Sequence, residues 1–326
     1  MAKRYGLLRR IFQSRLFWIF ILVLLLTAAW QAWTVVAHRV ITHELFGQVN
    51  EDKAVTLIFV GDTGSGSTEQ KTVAGLMEEL CVTFRPAGVV LLGDNFYYTG
   101  VESTRDPLWE SRFETVYSGD CLKKIPFYAI LGNHDYRGVA DAQIEYTRVR
   151  AGRWTMPARF YSLKFGNIVE IGAADTTIAD RCWLPALCSI DWLIDKLSNS
   201  SARWKVLVGH HPILSGGKYR SLKGLAYFAL PSLYCRSGAH AYISGHDHGL
   251  QHLQTFDSWA DCSIEQFVSA GGGASLYEIT NLPGRTRFAS SAHGVLLGRF
   301  SATEQQYDFF KVGHNGSAYH WAQRQE

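Results

Sequence analysis

Oxygen and imidazole side chains follow five short apolar stretches of this 326-residue sequence, each just after a glycine. The five sets are Asp62, Asp94 with Tyr97, Asn133 with His134, His210, and His246 with His248. Apolar runs such as Val89–Leu92 predict buried strands that stop at the glycine. A single Gly-Asp or Asn-His-Asp after a strand is ordinary turn chemistry. Five such sets in one chain favour a shared metal site.

The spacing within these sets suits a pair of cations. His246 and His248 are two residues apart, so in an extended segment they project to the same side, about 6.5–7 Å apart. That separation could serve two cations about 3.5–4 Å apart, with Asp94 well placed to bridge them. No cysteine belongs to the set, and oxygen and imidazole ligands indicate iron, zinc or manganese. The paired oxygens of Asp94 and Tyr97 favour ferric iron.

Strands, polar clusters and helices alternate along the body of the chain. Strands are predicted at 55–60, 89–92, 126–131, 204–208 and 239–244, with a hairpin of 159–164 and 168–173 that turns at Gly166-Asn167. Helices are predicted at 68–80, 106–117, 139–150, 190–199 and 222–234, and several further strands between 266 and 312. This order indicates an α/β protein whose ligands lie beyond the carboxyl ends of its strands.

The N-terminal region predicts a membrane segment. Residues 1–15 carry five basic side chains and no acid, and residues 16–37 form an uncharged run of 22 residues. A bilayer span needs about 20 apolar residues, and the basic head predicts a cytoplasmic N-terminus with an extracytoplasmic catalytic domain. A cleaved signal peptide, which would make the protein secreted, is the alternative, because Thr27-Ala28-Ala29 resembles a cleavage site. Residues 38–53 are then a linker and 54–322 the catalytic domain.

Charge and cysteine content narrow the class further. Of 32 Lys and Arg, five lie in the head, which leaves 27 against 29 Asp and Glu in the body. Such a near-neutral body lacks the basic surface that binds nucleic acid, so no nucleic-acid partner is expected. The six cysteines predict disulfides in an exported domain, with 15 connectivities open and buried free thiols as the alternative.

The motifs resemble those of the calcineurin-like metallophosphoesterases, and among them the small, tartrate-resistant type of purple acid phosphatase. The matching motifs are Gly61-Asp62, Gly93-Asp94-Asn95-Phe96-Tyr97, Gly132-Asn133-His134-Asp135, Gly209-His210-x-Pro212 and Gly245-His246-Asp247-His248. The resemblance covers about residues 53–320. It implies an αββα sandwich of two mixed sheets flanked by helices.

The resemblance also implies a role for each site residue. Asp62, Tyr97 and His248 would bind a ferric ion, Asp94 would bridge, and Asn133, His210 and His246 would bind divalent iron, zinc or manganese. His134 would contact the substrate phosphate and protonate the leaving group, oriented by Asp135. Most of the family has a histidine two residues after the first aspartate. Gly64 stands there in this chain, and Tyr97 supplies an alternative ligand.

The expected activity is the hydrolysis of phosphate monoesters at acidic pH. Two cations clamp the phosphate and lower the pKa of a bound water, so that hydroxide attacks in line. A histidine acid must be protonated, and the ordinary pKa of histidine, about 6.5, favours acidic pH. The alternatives are a related dinuclear phosphodiesterase or nucleotide hydrolase and, less favoured, a membrane-bound binding protein without activity.

The chain departs from the family pattern close to the site. Tartrate-resistant enzymes carry a second histidine after the Gly-His-x-Pro motif, whereas residues 215–224 here contain Lys218, Tyr219 and Arg220 but no histidine. His211 stands where an aromatic residue is usual. These differences leave the substrate preference and the pH optimum open. Gly271-Gly272-Gly273 is either a loop that lines the site or a plain turn.

Overall fold

The computed structural model describes residues 18–27, 42–47, 54–150, 152–177, 189–219, 226–258, 261–283 and 285–324. The chain divides into two units, Met1–Val40 and Ile41–Glu326. In the smaller unit, residues 18–27 form a helix whose apolar side chains are exposed. The rest of the predicted membrane segment lies outside the described residues. None of the helices within the described ranges has the length and apolar character needed to cross a membrane.

The larger unit is built on two mixed β-sheets. Its strands are β1 (Thr42–Phe46), β2 (Val55–Val60), β3 (Gly88–Leu91), β4 (Phe127–Ala129), β5 (Trp154–Thr155), β6 (Phe160–Phe165), β7 (Val169–Ala174), β8 (Trp204–Gly209), β9 (Ala241–Ser244), β10 (Leu250–Asp257), β11 (Cys262–Ser269), β12 (Thr286–Ser290), β13 (Gly294–Phe300), β14 (Glu304–Lys311) and β15 (Tyr319–Arg324). The first sheet has the order β1-β6-β7-β8-β9-β11-β10-β12 and the second the order β15-β14-β13-β2-β3-β4-β5. The predicted hairpin is β6 and β7, which pair antiparallel.

Helices cover the outer faces of the sheets. They are α1 (Thr68–Phe84), α2 (Asp141–Val149), α3 (Ile190–Ser198) and α4 (Ala226–Ser237), with a π-helical turn at Trp109–Glu114 and short 3-10 turns at Leu122–Lys124 and Asp135–Arg137. α1 begins at Ser67, whose side chain accepts a hydrogen bond from the Gln70 N–H, and ends where Arg85 adopts a left-handed conformation. α3 packs on β6 and β7 of the first sheet, whereas α1 packs on the second sheet. The two helices therefore lie on opposite sides of the sandwich.

Two apolar layers explain why the last four residues of β2, Leu57–Val60, are all hydrophobic. Leu57 and Phe59 face the core between the two sheets, whereas Ile58 and Val60 face the layer that contains Met77 of α1. A parallel strand that is buried on both faces needs no polar alternation. The predicted fold of two mixed sheets with flanking helices is confirmed.

Tertiary packing shifts several predicted elements. The helix predicted at 106–117 is wrong in extent, because only Trp109–Glu114 is helical, in a wide turn that lets Trp109 stack on Tyr146 with ring centroids 3.5 Å apart. Residues 42–46, inside the predicted linker, form β1, which pairs parallel with β6 and packs Leu45 on the core. The helix predicted at 222–234 is observed over Ala226–Ser237, and residues 222–225 lie outside the described residues.

Two disulfides fasten helices to neighbouring segments. Cys81 of α1 is bonded to Cys121, with their Cα atoms 5.8 Å apart, and Cys235 of α4 to Cys262 of β11, at 6.0 Å. No cysteine of the described ranges is free. The prediction of disulfides is confirmed for these four cysteines, and Cys182 and Cys188 lie outside the described residues.

The strand register brings the five polar sets together. β2, β3 and β4 are parallel neighbours, with Val60 opposite Leu91 and Leu91 opposite Ala129. β8 and β9 are parallel in the other sheet, with Gly209 opposite Ser244. The carboxyl ends of all five strands therefore meet at one edge of the sandwich.

Candidate metal centre

The phenol oxygen of Tyr97 is the point at which four predicted ligands converge. It lies 2.9 Å from Asp62 Oδ1, 2.9 Å from Asp94 Oδ2 and 3.0 Å from His248 Nε2. His248 Nε2 is also 3.2 Å from Asp62 Oδ1. We call Asp62, Asp94, Tyr97 and His248 the tyrosine cluster. It unites the ends of β2, β3 and β9, which belong to both sheets.

Asp94 connects this cluster to a second one. His210 Nε2 lies 3.2 Å from Asn133 Oδ1 and 3.2 Å from His246 Nδ1, and we call these three residues the imidazole cluster. The other carboxylate oxygen of Asp94, Oδ1, is 3.4 Å from His210 Nε2. One oxygen of Asp94 thus faces each cluster, which is the arrangement a bridging ligand requires.

The tyrosine cluster has an excess of lone-pair atoms, which a cation could bind. The phenol has one proton, yet three acceptor atoms lie within 3.0 Å of its oxygen. Asp62 is fully buried and Asp94 is 1% exposed, and in the described part of the chain the basic side chains beside them are histidines, His248 and His210. Burying two carboxylates without a compensating cation costs several kcal/mol, on the order of the penalty for any buried charge. A bound metal would remove that penalty.

Hydrogen bonds at Nδ1 fix the ring orientation and the tautomer of two of the histidines. His210 Nδ1 donates to the Leu92 carbonyl at 2.8 Å and His248 Nδ1 to the Ser275 carbonyl at 2.6 Å. Because a carbonyl only accepts, both protons are on Nδ1, and each Nε2 keeps its lone pair for a metal.

The turns that carry the ligands are strained. Asp62, Asp94 and His246 have φ values of 61°, 52° and 68°, in the left-handed region that residues other than glycine rarely adopt. Such conformations cost about 1–3 kcal/mol each and persist where the surroundings hold them. The Asp62 N–H donates to the Gly93 carbonyl at 3.0 Å, and the His246 N–H to Asp62 Oδ2 at 2.8 Å. The two sheets therefore hold each other's ligand turns in place.

Gly64 leaves no room for a side chain. A Cβ atom there would overlap the backbone of Asn95 and Phe96, and the Gly64 carbonyl accepts a hydrogen bond from the Tyr97 N–H at 2.9 Å. The loop that delivers Tyr97 thus occupies the space into which a residue at position 64 would have to project. The loop that carries Tyr97 can follow this path because position 64 has no side chain.

The electrostatics of the two clusters differ. Burial and the charges of Asp62 and Asp94 raise the pKa of the Tyr97 phenol well above its ordinary value. Burial lowers the pKa of His210, but Asp94 and Asp62 outweigh it and the net pKa is raised. Burial and the neighbouring His210 place the pKa of His246 well below its ordinary value. The carboxylates thus concentrate negative charge between the clusters, and the His246 ring is neutral.

His134 and Asp135 occupy different environments. The Nδ1 proton of His134 is donated to the Tyr98 carbonyl at 2.8 Å, so the group that orients the ring is Tyr98 rather than Asp135. Asp135 is fully buried and accepts from the N–H groups of Gly132 at 2.8 Å and Asn95 at 3.1 Å. Burial and the charge of Asp94 raise its pKa to about 7. Asp135 therefore ties the turns after β3 and β4 together.

A cleft of about 420 Å³ opens beside the tyrosine cluster. Its lining residues are Ser65, Ser67, Glu69, Tyr97, Tyr98, His134, His248, Gly273, Ala274, Ser275, Tyr277 and His293. The Gly271–Gly273 stretch therefore leads into a loop that lines the site rather than a plain turn. Ser275 and Tyr277 lie in a segment without a motif, so the sequence offered no signal for them.

His211 adds an imidazole that was not among the predicted ligands. Its ligand atom lies within 4.8 Å of those of His210 and His246. Burial and His210 lower its pKa to about 3, and the Thr176 hydroxyl bonds its Nδ1 at 2.9 Å. Its position directly after His210 was the available signal.

The fold and the site define an α/β protein with a candidate metal centre at aligned strand ends, where Asp94 lies between two clusters of metal-capable side chains. Residues 55–250, which include all seven predicted ligands, match the family described as Calcineurin-like phosphoesterase. The chain belongs to this family, as a purple acid phosphatase-like metallophosphoesterase.

Individual relatives agree with this assignment. The chain is 32% identical to purple acid phosphatase 3 of Arabidopsis thaliana over 83% of its own length and 78% of the relative's. It is 30% identical to the tartrate-resistant acid phosphatase type 5 of Homo sapiens over 62% of the chain and 69% of the relative. Its fold is similar to that of GAP50, titled the anchor in the inner membrane complex of Plasmodium, with a TM-score of 0.72, 22% identity, and coverage of 84% of this chain and 89% of that one.

The close approach at Gly64 predicts the cost of adding a single methyl group. We expect Gly64→Ala to lower the free energy of unfolding by about 2 kcal/mol or more, because it overpacks a rigid backbone contact. The matched control is Gly75→Ala in α1, where an added Cβ meets nothing within 4 Å and should stabilise the helix by about 0.5–1 kcal/mol. Denaturant unfolding measures both, and equal effects would contradict the packing argument.

Proposed function

We propose that this protein hydrolyses phosphate monoesters at acidic pH with a dinuclear metal centre. The observation that carries the proposal is the position of Asp94, whose two oxygens face the tyrosine cluster and the imidazole cluster separately. The family and the named phosphatase relatives support a phosphate ester as the substrate class.

The composition of the two clusters supports different metals. The tyrosine cluster would hold ferric iron. The pKa of the Tyr97 phenol is raised, so only a strongly charged cation would lower it enough to bind the tyrosine as a phenolate. The imidazole cluster would hold divalent iron, zinc or manganese through Asn133, His210 and His246. When bound, the two cations supply positive charge for the phosphate and make a water molecule more acidic.

The protein's own groups carry the remaining steps. His134 faces the cleft with Nδ1 committed to the Tyr98 carbonyl, so its Nε2 is the atom that can give a proton to the leaving oxygen. Tyr97 packs against this ring, with centroids 4.4 Å apart, and limits its movement. Asp135 positions the turn that carries His134, because it accepts N–H groups from both neighbouring turns.

This role for His134 predicts a dependence on the leaving group. We expect His134→Asn to lower kcat by about 100-fold or more for an alkyl ester such as glycerol phosphate, whose leaving oxygen needs a proton. The loss should be smaller for p-nitrophenyl phosphate, because nitrophenolate leaves without one. Steady-state kinetics of metal-loaded protein at acidic pH provide the measurement.

The control is His293→Asn, which removes another histidine of the same cleft. It should leave the ratio of the two substrates' kcat values unchanged. Equal losses on both esters in His134→Asn, or the same pattern in both variants, would refute the role of His134. If fully metallated wild-type protein hydrolysed neither ester between acidic and neutral pH, the enzymatic proposal itself would fail.

A non-catalytic role is the second candidate function. GAP50 is described as an anchor, and its fold is similar to this one. Against that role in this chain stand the converging donor atoms of both clusters and the open cleft beside them, which binding to another protein does not require. A phosphodiesterase or nucleotide hydrolase of the same fold is the nearer alternative, and a bis-p-nitrophenyl phosphate assay separates it from a monoesterase.

We propose further that residues 16–37 anchor the chain in a membrane, with the catalytic domain outside the cytoplasm. The uncharged run of 22 residues after a basic head supports this proposal. Full-length protein should remain in the membrane pellet after alkaline carbonate extraction, whereas a variant lacking residues 1–37 should be released. Release of the full chain, or a mature N-terminus that begins just after Ala29, would instead indicate a cleaved signal.

A further inference from the structure

An ammonium group lies over two tyrosine rings at the rim of the imidazole cluster. Lys218 Nζ is 5.2 Å from the ring centroid of Tyr219 and 4.8 Å from that of Tyr277. These are cation–π distances, and such contacts hold a cation without neutralising it. Lys218 is exposed, and none of the ion pairs in the described ranges involves it. Its charge is therefore available to a ligand.

Each of these tyrosines also covers one histidine of the metal centre. The Tyr219 ring lies 4.3 Å from the His246 ring, and the Tyr277 ring stacks on the His248 ring at 4.2 Å and 9°. The ammonium of Lys218 is thus one aromatic ring removed from a histidine of each cluster. It lies beyond the shell of atoms that would contact the transferred phosphate.

Asp247 fixes the segment that carries Lys218. Its carboxylate accepts hydrogen bonds from the Lys218 N–H at 3.0 Å and from the Ser215 hydroxyl. A Cβ atom at Gly217 would lie 2.5 Å from a carboxylate oxygen of Asp247, so a larger residue there would displace this carboxylate. Asp247 stands between His246 and His248 in the sequence, so this bond fixes the backbone of Lys218 relative to both histidines.

We propose that Lys218 is a specificity-determining residue that binds a second anionic group on the substrate, such as the outer phosphate of a diphosphate. The inference rests on the proposed function, because it assumes that the ester's reacting phosphate lies at the metal centre. A positive charge one ring farther out matches a substrate whose leaving group is itself negatively charged. Esters with an uncharged leaving part make no use of it.

The test compares inorganic pyrophosphate with p-nitrophenyl phosphate in Lys218→Gln, which removes the charge and keeps most of the side chain. We expect kcat/KM for pyrophosphate to fall about three- to tenfold through KM, the range of a partly exposed charge contact. The value for p-nitrophenyl phosphate should change by less than about twofold. The pyrophosphate effect should shrink as ionic strength rises.

Two controls isolate the charge at this position. Lys218→Arg should keep the pyrophosphate preference, and Lys123→Gln, which removes an exposed lysine paired with Asp120, should leave both substrates unchanged. Equal losses on both substrates, no loss on either, or a Lys218→Arg variant as impaired as Lys218→Gln would overturn the inference. A wild-type protein that cleaves neither substrate would instead refute the proposed function, so the two failures are distinguishable.

Discussion

The structure depends on one concentration of buried negative charge. Asp62 and Asp94 are withdrawn from water at the ends of adjacent strands, and the Tyr97 oxygen lies within 2.9 Å of both. The basic side chains beside them in the described ranges are histidines, His210 and His248. A cation bound at this cluster would compensate the buried carboxylates. Metal binding at this cluster would therefore stabilise the folded chain.

The scaffold meets that constraint by joining two sheets at one edge. Three ligand turns come from the second sheet and two from the first, and each sheet's turns bond to the other's. Three of the predicted ligands adopt left-handed backbone conformations. Gly64 admits the loop of Tyr97, and Gly217 admits the loop of Lys218. These two glycines thus allow the neighbouring loops to approach closely enough to place Tyr97 and Lys218.

Much of this could be predicted from the sequence, because strand ends and metal ligands leave local patterns. Asp94, His210 and His246 each follow a glycine after an apolar run, and the parallel register brings them together. The contributions of Tyr277, Ser275 and the Tyr98 carbonyl leave no such pattern, since they depend on how distant loops pack. The π-helical turn at Trp109 was missed for the same reason, because its ring stacks on a residue of another helix.

The visible absorption spectrum of the purified protein, recorded with its metal content, tests the central claim most directly. A phenolate bound to ferric iron absorbs visible light by charge transfer from ligand to metal. We expect a coloured protein with iron and a second metal, and a colourless one when Tyr97 is replaced by phenylalanine. An active wild-type protein that is colourless and contains only zinc or manganese would contradict the assignment of Tyr97 as a ferric ligand.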